Sequence, residues 1–388
     1  MSQAKRTDKK DQKRGVRALT VRAGNFLRSR TAVRSALKIG VVVLALALAL
    51  FPFPSAFVER FYSNGFYPLL QSVFTPVSNI FPFAVTDLLI AALLLGLPLW
   101  WIIRIKRAGR GRRLRETGSL LFNTLVLTAA AFLIFEILWG FNYQRQPLMA
   151  KLEYDKERLT SDALYRLTDL TRGRLNIESP EAHAQNWPTD DQLRRLLSPS
   201  FDSVVKDLGN RRSIAPASAK TSLLNVYFKA TGIEGVTNPF GHEVIINSEL
   251  LPFERPFILA HEWGHLAGFA DESEANFVAL LACVRSESAS IRYAGWLALY
   301  QYLPRQSGEH AEPLPDLAPE VIADLRAIRE RMRKGISESI SRMQAKVYDQ
   351  FLKANRVPGG INNYGLLVGL MIGTRFEPDW VPVRRTYN

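Results

Sequence analysis

The stretch Ile258–Ala279, ILAHEWGHLAGFADESEANFVA, decides how the rest of the chain is read. It places His261 and His265 four residues apart, with Glu262 beside the first. On an α-helix, positions i and i+4 share a face, so both imidazoles can reach one ion. A helix is the expected local structure. Pro256 suits a first turn, where its missing N–H has no intrahelical partner to lose, and Gly268 suits the position just past a helix end. Zinc takes nitrogen and carboxylate ligands in a tetrahedron, and a catalytic site leaves one corner to water. Glu262, on the adjacent face, can then take a proton from that water as general base. His-Glu-x-x-His is thus a motif with a mechanism, and it uses two of the five histidines in the chain. The competing reading is a core helix whose histidines bond to backbone. It leaves Glu262 as an unpaired charge on an apolar helix, which is costly.

A third protein ligand is needed, and two candidates follow. Read as HExxHxxGxxD, the sequence offers Asp271, with Gly268 turning the chain back. Read as HExxH followed by a second helix opening E-S-E-A-N, it offers Glu272, with Asp271 as N-cap and Asn276 one turn further along. Glu272 is favoured, because Asp-Glu-Ser-Glu is a strong helix start and Asn276 can orient a ligand histidine. Glu274 is expected to point away into solvent.

The ExxAN sequence after HExxH resembles the second motif of the gluzincin-type membrane zinc endopeptidases. The resemblance implies Glu272 as third ligand; Asn276 stands where those enzymes carry Asp. More closely, WGFNYQRQPL (139–148), GIEGVTNPFGHEVIIN (232–247), HEWGH…ESEAN and GGINNYGLLVGL (359–370) resemble a bacterial membrane protein family, domain of unknown function 3810. That resemblance implies a metallopeptidase-like site and names no substrate.

The net charge of +14 is unevenly spread. Residues 1–38 hold twelve Lys/Arg against Asp8 and Asp11, residues 104–115 hold seven against none, and residues 140–388 balance at 30 of each sign. A basic excess confined to the flanks of apolar runs is a membrane-topology pattern and argues against a nucleic-acid partner. Apolar runs at about 39–58, 83–103 and 117–140 are long enough to span a bilayer. The Pro- and Phe-rich stretch 61–82 reads as interfacial or re-entrant backbone, and Trp139 and Tyr143 as an aromatic belt. Glu136 is expected to pair with an Arg of the following segment. The positive-inside rule puts the basic tail (1–38) in the cytosol and residues 141–388 outside. The single cysteine, Cys283, forms no intrachain disulfide and is expected in the core.

The outer domain is expected to be α+β. Helix-like spacing covers 157–174 and 190–208. Lys220–Lys229 and His242–Asn247 read as strands, with the turn-prone GIEGVTNPFG between them. His242–Asn247 stands where a zincin holds its substrate on an edge strand, and His242 itself reads as an exposed strand residue. Pro319–Leu352 reads as one long helix, and 359–372 as a buried helix, with a fourth membrane crossing as its alternative. Tyr364, Tyr348 and Arg285 are candidates for the donor that stabilises the developing oxyanion.

The expectation is a membrane-anchored, mainly α protein: three N-terminal transmembrane helices and an α+β, zincin-like extracytoplasmic domain. One Zn2+ is held by His261, His265 and Glu272, with Glu262 and Tyr364 catalytic. The expected partners are the lipid bilayer and a peptide or protein substrate, in the cytoplasmic membrane of a bacterium. The competing classes are a non-catalytic metal-binding module and a transporter component; for the latter, three spans with few buried polar residues make a poor pathway.

Overall fold

The computed structural model describes residues 32–303, 316–357 and 366–385. Among these, three helices are long and apolar enough to cross a membrane: α1 (Ala32–Leu50), α3 (Val85–Arg107) and α4 (Arg110–Leu138). The first ends eight residues before the expected limit at 58, because Pro52 and Pro54 cannot continue a helix. The described residues fall into two compact units, one within 32–52 and 98–134, the other within 53–97 and 135–385.

In the first unit the apolar helices are tied by a few polar contacts. Lys38 Nζ donates to Asn123 Oδ1 at 2.5 Å, the Trp101 indole donates to Thr124 Oγ1 at 3.1 Å, and Arg104 pairs with Glu116.

The second unit begins with the stretch expected to be interfacial. There Val58–Phe66 winds as a wide helix into α2 (Tyr67–Asn79). Four α2 residues spaced by four, Tyr67, Gln71, Thr75 and Asn79, lie on one face and bond to the unit's backbone. Tyr67 donates to the Leu266 carbonyl (2.8 Å), Gln71 bonds the carbonyl and the N–H of Ala215, Thr75 donates to the His242 carbonyl (2.9 Å), and Asn79 bonds Pro216 and Ser218. Polar groups that would be costly in lipid here satisfy irregular backbone.

Two helices follow, α5 (Ser161–Ala184) and α6 (Asp190–Asp207), the latter opened by a Thr189–Gln192 capping box. A three-stranded sheet has the order β1 (Ala219–Lys220), β3 (Glu243–Ile246), β2 (Gly235–Asn238), with β1 parallel and β2 antiparallel to β3. The expected strand at 220–229 is therefore only two residues long. NVYFKAT forms helix α7 (Asn225–Thr231), ended by Gly232 at φ +79°. Its buried residues, Phe228 and Thr231, are three apart, so helical burial overrides the β propensity of VYF. The expected turn contains strand β2. Consequently β3 is central, and β2, not His242–Asn247, is the edge strand. His242 has φ +46° and is fully buried between the rings of Tyr67 and Phe74, at 5.6 and 5.4 Å; it is not an exposed strand residue.

The core is built on α8 (Arg255–Leu266), α9 (Glu272–Val284) and α10 (Ala289–Tyr302). Every residue of α9 is buried. Gly264 allows α8 to approach it: a Cβ there would lie 3.2 Å from Ala275 Cα. Phe201 meets Trp263 edge-on at 5.4 Å, and Cys283 is fully buried as expected. The expected long helix is two, α11 (Pro319–Gly335) and α12 (Glu338–Ala354). Extended Ile336 breaks them by packing on Gly232, while Ser337 N–H bonds the Ala230 carbonyl at 2.9 Å. Helix α13 (Leu366–Gly373) is short and buries Leu367, Leu370 and Met371 in the core. This is the described part of the buried helix expected at 359–372; residues 358–365 lie outside the described residues.

Candidate metal centre

Helix α8 ends at Leu266 in a Schellman turn. Gly268, at φ +84°, sends its N–H to the His265 carbonyl and that of Phe269 to Gly264, both at 3.0 Å. The turn brings the chain directly to Asp271, which caps α9 by accepting from Ser273 N (2.9 Å) and Glu274 N (3.3 Å). Asp271 thus takes the capping role, and Glu272, the first residue of α9, faces the two histidines.

His261, His265 and Glu272 place one potential ligand atom each within 4.8 Å of one another, the one such cluster among the described residues. Glu272 Oε2 lies 3.2 Å from His261 Nε2 and 3.7 Å from His265 Nε2. The other ring nitrogens are engaged outward: His261 Nδ1 with Asn276 Oδ1 and His265 Nδ1 with the Phe269 carbonyl, each at 2.8 Å. A carbonyl oxygen only accepts, so both Nδ1 atoms carry protons and both Nε2 atoms face the common point. Burial disfavours a charged His265, but Glu272 outweighs it and holds the ring up at about 9. Burial likewise acts against ionised Glu272, yet the histidines pull it well below the usual carboxylate range. A divalent cation at that point would replace the protons as the positive charge Glu272 meets.

Glu262 is buried on the next face. Thr237 of β2 donates to its Oε2 at 2.7 Å, and burial raises its pKa. Gly235 makes space for it, since a Cβ there would stand 2.5 Å from Glu262 Oε1. All four side chains line one cavity of about 580 Å3, whose walls include Gly235–Thr237 of β2, Trp139, Tyr143, Tyr302 and, from α12, Gln344 and Tyr348. The Tyr348 hydroxyl donates to Glu272 Oε1. Of the expected oxyanion donors, Tyr348 is therefore in the cavity. Arg285 is elsewhere, bound to Asp207 (2.7 Å) and Ser203 (2.8 Å), and Tyr364 lies outside the described residues.

Side chains from segments distant in sequence hold the site in place. Successive carbonyls at the end of α8 are taken by the Trp139 indole (His265, 3.0 Å), the Tyr67 hydroxyl (Leu266, 2.8 Å), and Arg145 and Asn210 (Ala267, 3.3 and 2.9 Å). Trp139 is only 7% exposed, so it is a buried capping residue and not part of a lipid-facing belt, and Tyr143 lines the cavity. Arg145 does not pair with Glu136. It pairs with Glu59 at 2.8 Å, Lys151 joins at 3.0 Å, and the guanidinium stacks on Phe269 at 4.4 Å. Burial raises the Glu59 pKa, but Arg145 and Lys151 win and hold it at about 2. Glu274 is not solvated either: it is buried and accepts from Leu148 N at 2.6 Å. Thr237, Gly235 and the Phe269 carbonyl were not legible as site groups, because each reaches the site only through how the chain folds back on α8.

With this geometry in hand, the comparisons give a family. Residues 62–372 match the family described as protein of unknown function (DUF3810), and the chain belongs to it. No curated protein and no solved structure matches the chain.

Proposed function

We propose that this protein is a membrane-bound zinc endopeptidase of the bacterial cytoplasmic membrane, hydrolysing peptide bonds of envelope or membrane-proximal substrates outside the cytosol. One observation carries the reading. Two imidazoles with Nε2 turned inward and one carboxylate share a point beside a buried second carboxylate, in a cleft with an open strand edge. Two histidine nitrogens and a carboxylate are a donor set that fits catalytic zinc, and His261, His265 and Glu272 would hold it. When bound, zinc supplies a Lewis acid and lowers the pKa of water toward neutrality.

The chain's own groups do the rest. Edge strand β2 offers backbone donors and acceptors to an extended peptide. Glu262, oriented by Thr237, takes the proton of the attacking water and returns it to the leaving amine. Its burial raises its basicity for that exchange. Asn276 and the Phe269 carbonyl keep both rings in one tautomer. Basic residues 104–115, at the adjoining ends of α3 and α4, support a cytosolic turn there and the domain on the opposite side.

The test is proteolysis by the full-length protein in lipid, with a mixture of internally quenched peptides. Activity should vanish on chelation, return with zinc, and fall by about 1,000-fold or more in Glu262→Gln. Undiminished cleavage by Glu262→Gln would remove the peptidase reading.

A further inference from the structure

Helix α12 presents a stripe that neither the cleft nor the core uses. Gln344 and Tyr348 line the cleft, Leu352 is buried, and Arg342, Lys346 and Lys353 are exposed on a charged face. Between cleft and charged face run Ile340, Met343 and Val347, spaced by three and four and 37, 65 and 63% exposed, while Phe351, one turn further and 42% exposed, lines the cleft. Helix α7 packs against α12; Val226 of α7 and Leu223, two residues before that helix, are 79 and 88% exposed. An apolar patch of this kind marks a covered surface, and an apolar stripe flanked by cationic side chains suits a membrane interface.

Two contacts set the level of this patch. Beside α7, the Leu223 N–H and the Ser222 hydroxyl donate to Asp87, in the first turn of α3, at 2.9 and 2.5 Å. At the end of α12, Phe351 meets Phe135, in the last turns of α4, with ring centroids 6.5 Å apart. A chain that crosses a bilayer along α3 and recrosses along α4 returns to the side it left, so Asp87 and Phe135 mark the same surface. Both halves of the patch are therefore pinned where the chain emerges from lipid.

We propose that the α7–α12 face is seated in the interfacial layer of that same membrane, with lipid as its occupant. Met343, Val347, Leu223 and Val226 lie below the headgroups, and Arg342 and Lys346 lie among the phosphates. One wall of the cleft is then a lipid-supported helix, and its mouth opens at the membrane surface. The proposal rests on α3 and α4 crossing the bilayer, and it is independent of whether the centre cleaves peptides.

Full-length protein, reconstituted at one copy per lipid nanodisc, would carry an environment-sensitive fluorophore at Val347→Cys, Lys346→Cys or Leu94→Cys; native Cys283 is buried and does not label. Quenchers are iodide in water and nitroxides on shallow or deep lipid carbons. The Val347 label should be quenched by shallow nitroxide lipid and be several-fold less sensitive to iodide than the Lys346 label. Lipid quenching at Leu94 in α3, together with iodide quenching at Val347, would overturn the proposal while leaving the membrane helices intact. A Val347 label shielded from both quenchers is covered by protein, which also overturns it. Iodide quenching at Leu94 would remove the membrane reading and this proposal with it.

Discussion

Asn276 and the Phe269 carbonyl decide what the two imidazoles can do, because each takes an Nδ1 proton and so leaves Nε2 free to ligate. Asn276→Ala should weaken zinc affinity by about 10–100-fold in a chelator competition, while Asn276→Asp, which keeps an acceptor, should retain most of it. Gly235 makes a different prediction. A methyl group at that position collides with Glu262 Oε1, so Gly235→Ala should displace the base without touching the three candidate ligands. The expected result is full metal content with proteolysis reduced by about 100-fold or more, within the range for a misplaced catalytic group. Loss of metal in Gly235→Ala would mean that the strand supports the ligands themselves. At this scale the sequence was informative where chemistry depends on side-chain spacing: His261, His265, Glu272, Asn276 and the Asp271 cap all read correctly as positions on two helices. It was silent on Gly235 and Thr237, which matter only because a strand passes within bonding distance of a helix far along the chain.

Among the elements, α8 is held at its end by side chains from segments distant in sequence. Trp139, Tyr67, Arg145 and Asn210 satisfy three consecutive carbonyls that a helix end leaves open. Tyr67→Phe should cost about 1–3 kcal/mol in denaturant unfolding, the penalty of a buried carbonyl losing its donor. Arg145→Met should cost more, about 3–5 kcal/mol, since it strips Glu59 of its closest partner in a buried site. Equal effects of the two substitutions would argue that the charge network is not buried as described. The polar residues of α2 show what the sequence left out of this part. Tyr67, Gln71, Thr75 and Asn79 recur every four residues, which is a helix face, yet with Pro68, Pro76 and many aromatics around them they looked like interfacial backbone. Their partners at Ala215, Pro216, His242 and Leu266 are more than 130 residues away, and no local pattern records them. Strand and helix were exchanged at 225–231 for the same reason: β formers there pack on one helical face against distant neighbours.

Across the whole molecule, two buried groups tie stability to pH. Burial drops the His242 pKa from its ordinary 6.5 to about 4, and Glu59 is held at about 2 against an ordinary 4.5. Both folded values are depressed, so each contribution is complete above the unfolded pKa and is lost as pH falls toward the folded one. Between pH 6.5 and 4.5 the loss from His242 is opposed by buried Glu274, whose pKa burial raises to about 7, so thermal stability should fall mainly below pH 4.5, with Glu59 alone accounting for roughly 3 kcal/mol over its window. Glu59→Gln should be less stable at neutrality and show a flatter acid limb; an unchanged limb would contradict the assignment. Three apolar helices are long enough to cross a bilayer, and the two histidines of α8 and the carboxylate of α9 converge on the candidate centre. Metal content of the purified full-length protein tests that centre most directly. The account predicts one zinc per chain in the wild type and in Glu262→Gln, and almost none in His261→Ala or Glu272→Ala. Zinc at full stoichiometry in His261→Ala, or none in a folded wild type supplied with it, would contradict the account.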